Sequence, residues 1–217
     1  MRPQPERLDL IPQADPAVLR RWGVSDCGQV DRPALARSLA RLQDHEIAPP
    51  SDMARLVRHI RHRYHRALIG LIGDVVALAE ACEAAHSGEE AWPHGLSDRL
   101  VEILEALEDH QQREDAVVFP LLLAAKPQAA EAARIMKAEH ARIRRLLDVV
   151  GALTRGFEVP AAVCVSWRVL YVLARKIDLD IREQMKLEER ELFWGHPSVN
   201  LRRRTFVPKQ RSQECAV

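Results

Sequence analysis

The chain is short of several things, and each shortage narrows what it can be. Only four of its 217 residues are cysteine, Cys27, Cys82, Cys164 and Cys215, and none forms a CxxC pair. Thiols this scattered fit a reducing cytoplasm better than a disulfide framework. Net charge is almost nil, +1, so no global field draws in nucleic acid or acidic membrane. No run approaches the roughly 18 to 20 unbroken apolar residues of a membrane span. The N-terminus, Met1 to Glu6, lacks the apolar core of a secretion signal. Aromatics are scarce, 5%, while Ala, Leu, Arg and Glu dominate, which is helical composition. A hydrophobic share of 47% still provides for a core, so a cytoplasmic, all-α protein is expected.

Breaker residues divide the chain. Residues 1–48 read as a small helical N-terminal domain. Asp15-Pro16 starts a short helix that Gly23 stops, and a second helix carries Leu35, Leu39 and Leu42. Ala48-Pro49-Pro50-Ser51 is the linker. Four long helical segments follow, at about 52–85, 97–125, 129–154 and 161–193, the second opening on Ser97 as N-cap and bent by Pro120. Similar lengths and short turns predict an up-down-up-down four-helix bundle over 52–195. Residues 196–217, with Arg202-Arg203-Arg204, form a basic tail without periodicity, expected to be solvated and disordered.

Ligand-type residues fall on the faces where apolar residues belong. On the second long segment the apolar stripe runs Leu100, Ile103, Leu104, Leu107, Val117 and Leu121, and His110 and Glu114 share it. His65 lies on the inward face of the first segment, Glu139-His140 on that of the third, and Gln184 and Glu188 on that of the fourth. A buried carboxylate without a partner is costly, so this convergence points to a bound cation. Imidazole suits iron, copper and zinc, and carboxylates can bridge two metals. The i, i+4 pairs stack side chains one turn apart, unlike the Glu-x-x-His of ferritin-like di-iron bundles. A plainer reading stays open: hydrogen-bonded core histidines, with Glu114 and Glu188 paired to Arg113, Arg182 or Lys186 at a helix edge. Tyr64 reads as packing, and His59 and His62 as surface residues.

Arg63-Tyr64-His65, His110-x-x-x-Glu114 followed by Val118-Phe119-Pro120, Ala138-Glu139-His140, and Leu187-Glu188 followed by Leu192-Phe193 resemble a hemerythrin-like (HHE cation-binding) domain. Among such proteins the chain is most similar to the di-iron family that repairs iron centres. The likeness spans about residues 53–194 and extends to Trp22–Gly28 and the Leu35–Leu42 segment. It implies a non-haem protein with two irons held by His65, His110, Glu114, His140 and Glu188. The implied role is the nitrosative or oxidative stress response, with iron–sulfur proteins as clients and without conventional turnover chemistry. Nitric oxide or oxygen are the implied small ligands, and the alternative is a sensor or store for them, or a diverged bundle with only one metal or none. Neither nucleic acid nor membrane is an implied partner, and a homodimer is compatible with it. Two positions depart from the family pattern. Gln184 stands where the family has histidine, which reduces the expectation toward one iron and makes Gln184 and Glu139 candidates for a weak or outer ligand. Asp26-Cys27-Gly28 stands where the family has Cys-Cys-Gly, leaving Cys27 as a single candidate redox thiol.

Overall fold

A computed structural model of the chain describes residues 16–22, 33, 37, 49–161 and 163–194. Cys27, the Leu35–Leu42 segment and the basic tail lie outside these, apart from the helical Arg37. The first helix, α1 (Pro16–Arg21), is short. Helix α2 runs through Met53–Ile60, a π-helical turn Arg61–His65, and Arg66–His86. Helix α3 runs through Leu96–Arg113, a π turn Glu114–Val118, and Phe119–Leu123. Helix α4 is Ala129–Leu153, and α5 is Val165–Leu187 extended by a π turn Glu188–Phe193. Each long helix packs on its neighbours in sequence, and α5 returns to α2, which closes an up-down-up-down bundle. The described residues form no strand, and none of their helices is long and apolar enough to cross a membrane.

Helix ends follow local chemistry. Asp52 caps α2, its side chain accepting from the Arg55 amide at 2.8 Å. The expected Ser97 cap of α3 is corrected: Gly95, at φ 80°, occupies that place, and Ser97 instead donates its hydroxyl to Glu83 on α2. Glu83 also accepts the Gly95 amide at 2.8 Å, so one carboxylate ties the turn to α2. After α4, Gly156 takes a left-handed φ of 74° and its amide reaches back to the Gly151 carbonyl at 2.7 Å, a turn that favours glycine. Helix α5 begins at Val165, four residues later than expected, because Cys164 serves as its N-cap.

The interior is the apolar stripe of each long helix. Ile60, Leu68 and Ile72 meet Leu100, Ile103 and Leu107, Met136, Ile143 and Leu147, and Leu170, Leu173, Ile177 and Ile181, all buried. Removing each such side chain from water contributes about 1.5–3 kcal/mol. One expected inward residue is corrected. Val117 is 48% exposed, and Val118 is buried in its place. The π turn at Glu114–Val118 adds a residue to the helical turn and shifts the stripe by one position. Pro120 follows that turn, and the chain stays helical through it rather than breaking. Helix α1 sits against α2, where Asp74 accepts from Arg21 at 2.7 Å and from the Trp22 indole at 3.3 Å.

Candidate metal centre

All three π turns occur where α2, α3 and α5 carry ligand-type residues. His65 ends the first, Glu114 begins the second and Glu188 begins the third. Inserted turns of this kind re-aim side chains and recur at functional sites. His110, Glu114, His140, Gln184 and Glu188 are each at most 1% exposed, and His65 is 5% exposed. His110, Glu114, His140 and Glu188 bring one ligand atom each to within 4.8 Å of one another. His140 Nε2 is 3.2 Å from both Glu188 Oε2 and His110 Nε2. His110 Nε2 lies 3.5 Å from Glu114 Oε2, and His65 Nε2 lies 3.2 Å from the same oxygen. The edge pairing is not adopted, since Arg113 binds Glu139, and Arg182 binds Asp148 and Asp178.

The electrostatics are those of two buried carboxylates facing buried imidazoles. Burial drives the Glu114 carboxyl up from its ordinary value, and the charge of Glu188 adds to it. Burial acts the same way on Glu188, but the imidazoles of His110 and His140 outweigh it and hold that carboxyl down at about 2. Burial likewise works against charge on His110 and His140, yet Glu114 and Glu188 raise the first, and Glu188 and Glu189 raise the second. Several of these buried atoms have no hydrogen-bond partner: both ring nitrogens of His65, both oxygens of Glu114, Gln184 Oε1 and Glu188 Oε2. Orphaned polar atoms normally cost stability, so their gathering at one place fits a cation that would satisfy them. Nitrogen and carboxylate donors together suit iron.

A layer of carboxylates stands behind the imidazoles, of which sequence reasoning had singled out only Glu139. His110 Nδ1 faces Glu139 Oε2 at 3.1 Å, and Arg113 binds the other Glu139 oxygen. His140 Nδ1 faces Glu189 Oε1 at 2.9 Å, and Arg144 donates to the same oxygen at 2.7 Å. His65 Nδ1 faces Asp115 Oδ1 at a looser 3.7 Å, and Arg61 holds that oxygen at 2.7 Å. A carboxylate at Nδ1 fixes the tautomer that turns a free Nε2 inward and makes it more basic. Glu139 therefore sits behind His110 rather than beside Gln184. The readable signal was the doubled acids Glu114-Asp115 and Glu188-Glu189. Of the other residues, Tyr64 is buried, His62 is exposed, and His59 is half-buried with its edge toward Tyr64.

Gln184 lies one turn before Glu188, buried as expected, and its amide donates to Glu188 Oε1 at 2.9 Å. That bond engages an oxygen that an imidazole at this place would leave to a metal.

Comparison with known proteins agrees with this geometry. Residues 53–193 match the hemerythrin HHE cation binding domain, and the chain belongs to that family. It is 35% identical over 121 residues to the "Iron-sulfur cluster repair protein YtfE" of Musicola paradisiaca (strain Ech703), covering 55% of this chain and 54% of the relative. Proteins of the same name from Yersinia pseudotuberculosis serotype O:1b (strain IP 31758) and Yersinia pestis (strain Pestoides F) are each 34% identical over 121 residues, covering 55% of both chains. The chain thus spans about half the length of the curated relatives it matches.

Proposed function

We propose, from the premise of membership in the HHE family, that this is a cytoplasmic non-haem di-iron protein of the nitrosative and oxidative stress response. Its clients are iron–sulfur proteins with damaged clusters, which it repairs or supplies with iron. The observation that carries this reading is the buried set of His110, Glu114, His140 and Glu188, with His65 beside it, in which both Glu114 oxygens, Glu188 Oε2 and both His65 nitrogens are left without hydrogen bonds. The names of the relatives supply the stress and repair context.

In this reading Glu114 and Glu188 would hold the iron through their carboxylates, and His65, His110 and His140 would hold it through their ring nitrogens. Bound iron supplies an exchangeable, redox-active Lewis acid that can take nitric oxide or oxygen. The chain's own residues do the rest. Glu139 and Glu189 keep the imidazole tautomers fixed. Phe119 stacks on His65 at 5.8 Å and Phe193 on His140 at 5.8 Å, which shields the rings from water. Gln184 offers only a neutral amide oxygen, a poorer donor than imidazole, so the iron on its side is held more weakly.

A second reading follows from Gln184. With one firm metal the bundle would be a sensor or store for nitric oxide or oxygen rather than a repair protein. Two measurements separate the readings. Metal per chain, with the optical spectrum before and after nitric oxide, should give two irons of unequal affinity. Incubation with an iron–sulfur enzyme damaged by nitric oxide should restore its activity. One iron and no recovery would favour the sensor. No metal, with a melting temperature unmoved by chelator, would overturn both.

A further inference from the structure

A second cluster of reactive side chains lies at the other end of the bundle. His86 is the last residue of α2, 21 residues beyond His65, or roughly 30 Å along the helix at 1.5 Å per residue. Its Nε2 is 3.2 Å from Cys164 Sγ, and its Nδ1 is 2.7 Å from Glu89 Oε1. Cys164 caps the 23-residue first segment of α5, and the Trp167 amide donates to its sulfur at 3.4 Å. The His86 ring is held between two indoles: stacked on Trp92 at 5.7 Å and 17°, and tilted against Trp167 at 5.1 Å. Cys164 itself is partly exposed.

We propose that Cys164, His86 and Glu89 form a redox thiol site, separate from the metal centre, whose sulfur is oxidised by a peroxide to a sulfenic acid. The arrangement is in line, with nucleophile and carboxylate on opposite ring nitrogens, so the three side chains do not converge on one cation. Glu89 at Nδ1 selects the tautomer that leaves Nε2 as acceptor, the same division of labour as in a nucleophile–histidine–carboxylate triad. Nε2 takes the thiol proton as the peroxide arrives, and the Trp167 amide and the positive end of α5 lie against the sulfur. The thiolate then attacks one peroxide oxygen. The S–O bond forms as the O–O bond breaks, the leaving hydroxide takes the proton from His86, and water departs. Sulfur loses two electrons and the peroxide gains them. The contrast is Cys82, fully buried, whose thiol is pushed well up by burial and by neighbouring Cys164, so that it stays protonated and inert.

This site does not depend on the metal reading, and it is tested apart from it. The full-length metal-loaded protein is alkylated with iodoacetamide, and separately treated with hydrogen peroxide and dimedone, with each cysteine followed by peptide mass mapping. Cys164 should alkylate about tenfold faster than glutathione and carry the dimedone adduct, as general-base activation implies. Glu89→Gln, on a side chain 53% exposed, should slow alkylation several-fold without changing the melting temperature. His86→Gln should slow it further, and Cys164→Ser should abolish the adduct there. Alkylation of Cys164 no faster than glutathione, or unchanged in folded Glu89→Gln protein, would overturn the proposal. Fast alkylation with no dimedone adduct would overturn the peroxide step.

Discussion

The two halves of the candidate metal centre are built to one pattern and part at one position, Gln184. In the first half, His65 of α2 faces Glu114 of α3, stacks on Phe119, and has Asp115 behind it, held by Arg61. In the second, His140 of α4 faces Glu188 of α5, stacks on Phe193, and has Glu189 behind it, held by Arg144. In each, the acid behind the imidazole follows the inner glutamate directly, and the phenylalanine comes five residues after it. The same relation sets His110 opposite Gln184, each one turn before its glutamate. It also sets Glu139, the residue before His140, opposite Tyr64, the residue before His65. Glu139 fixes the tautomer of His110. An amide has no tautomer to fix, and Tyr64 has no carboxylate to offer.

The comparison is broken most severely at the shared glutamates. Glu114→Gln should lower metal affinity by more than the roughly 100-fold seen when an outer partner is lost, because the charge itself goes. The same change should leave the metal-free fold as stable or firmer, by about 1 kcal/mol, since an isosteric amide removes a buried carboxylate with no hydrogen bond. Titration by metal analysis and thermal melting of both forms would check this, and a metal-free variant much less stable than its parent would contradict it.

Gln184→His should make the halves alike. Metal per chain should rise toward two equally tight ions, because the imidazole supplies a stronger donor and frees Glu188 Oε1. An unchanged stoichiometry would show that the weakness lies elsewhere.

Glu189→Gln and Glu139→Gln should each cost about 10- to 100-fold in metal affinity through loss of imidazole orientation. Competition against a chelator of known affinity reads this directly. Asp115→Asn should cost less than tenfold, because its oxygen stands 3.7 Å from His65 rather than at hydrogen-bond distance. Equal losses at Asp115 and Glu189 would mean that the two halves are braced alike when metal is bound.

Some of this was legible in the chain and some was not. The four long helices, their turns and the inward placement of His65, His110, Glu114, His140, Gln184 and Glu188 follow from a 3.6-residue period, which is a local property. Val117 was misplaced because a π turn carries no distinctive composition. The extra residue it inserts is tolerated only where packing and ligand aim repay it. Glu189 and Asp115 escaped, and Glu139 was expected near Gln184 rather than behind His110, because their partners are on other helices: His110 is 29 residues from Glu139, and His140 is 49 from Glu189. The same holds for Cys164 and His86, 78 residues apart.

By itself, the sequence determined that the chain is helical, where the long helices run, and which side chains face inward, since each rests on near neighbours along the chain. The tertiary structure alone decided which inward atoms meet, which are left without partners, and which acid stands behind each imidazole. Those depend on the axial register of helices against one another, and register is set by the packing of whole helix faces rather than by any segment read alone.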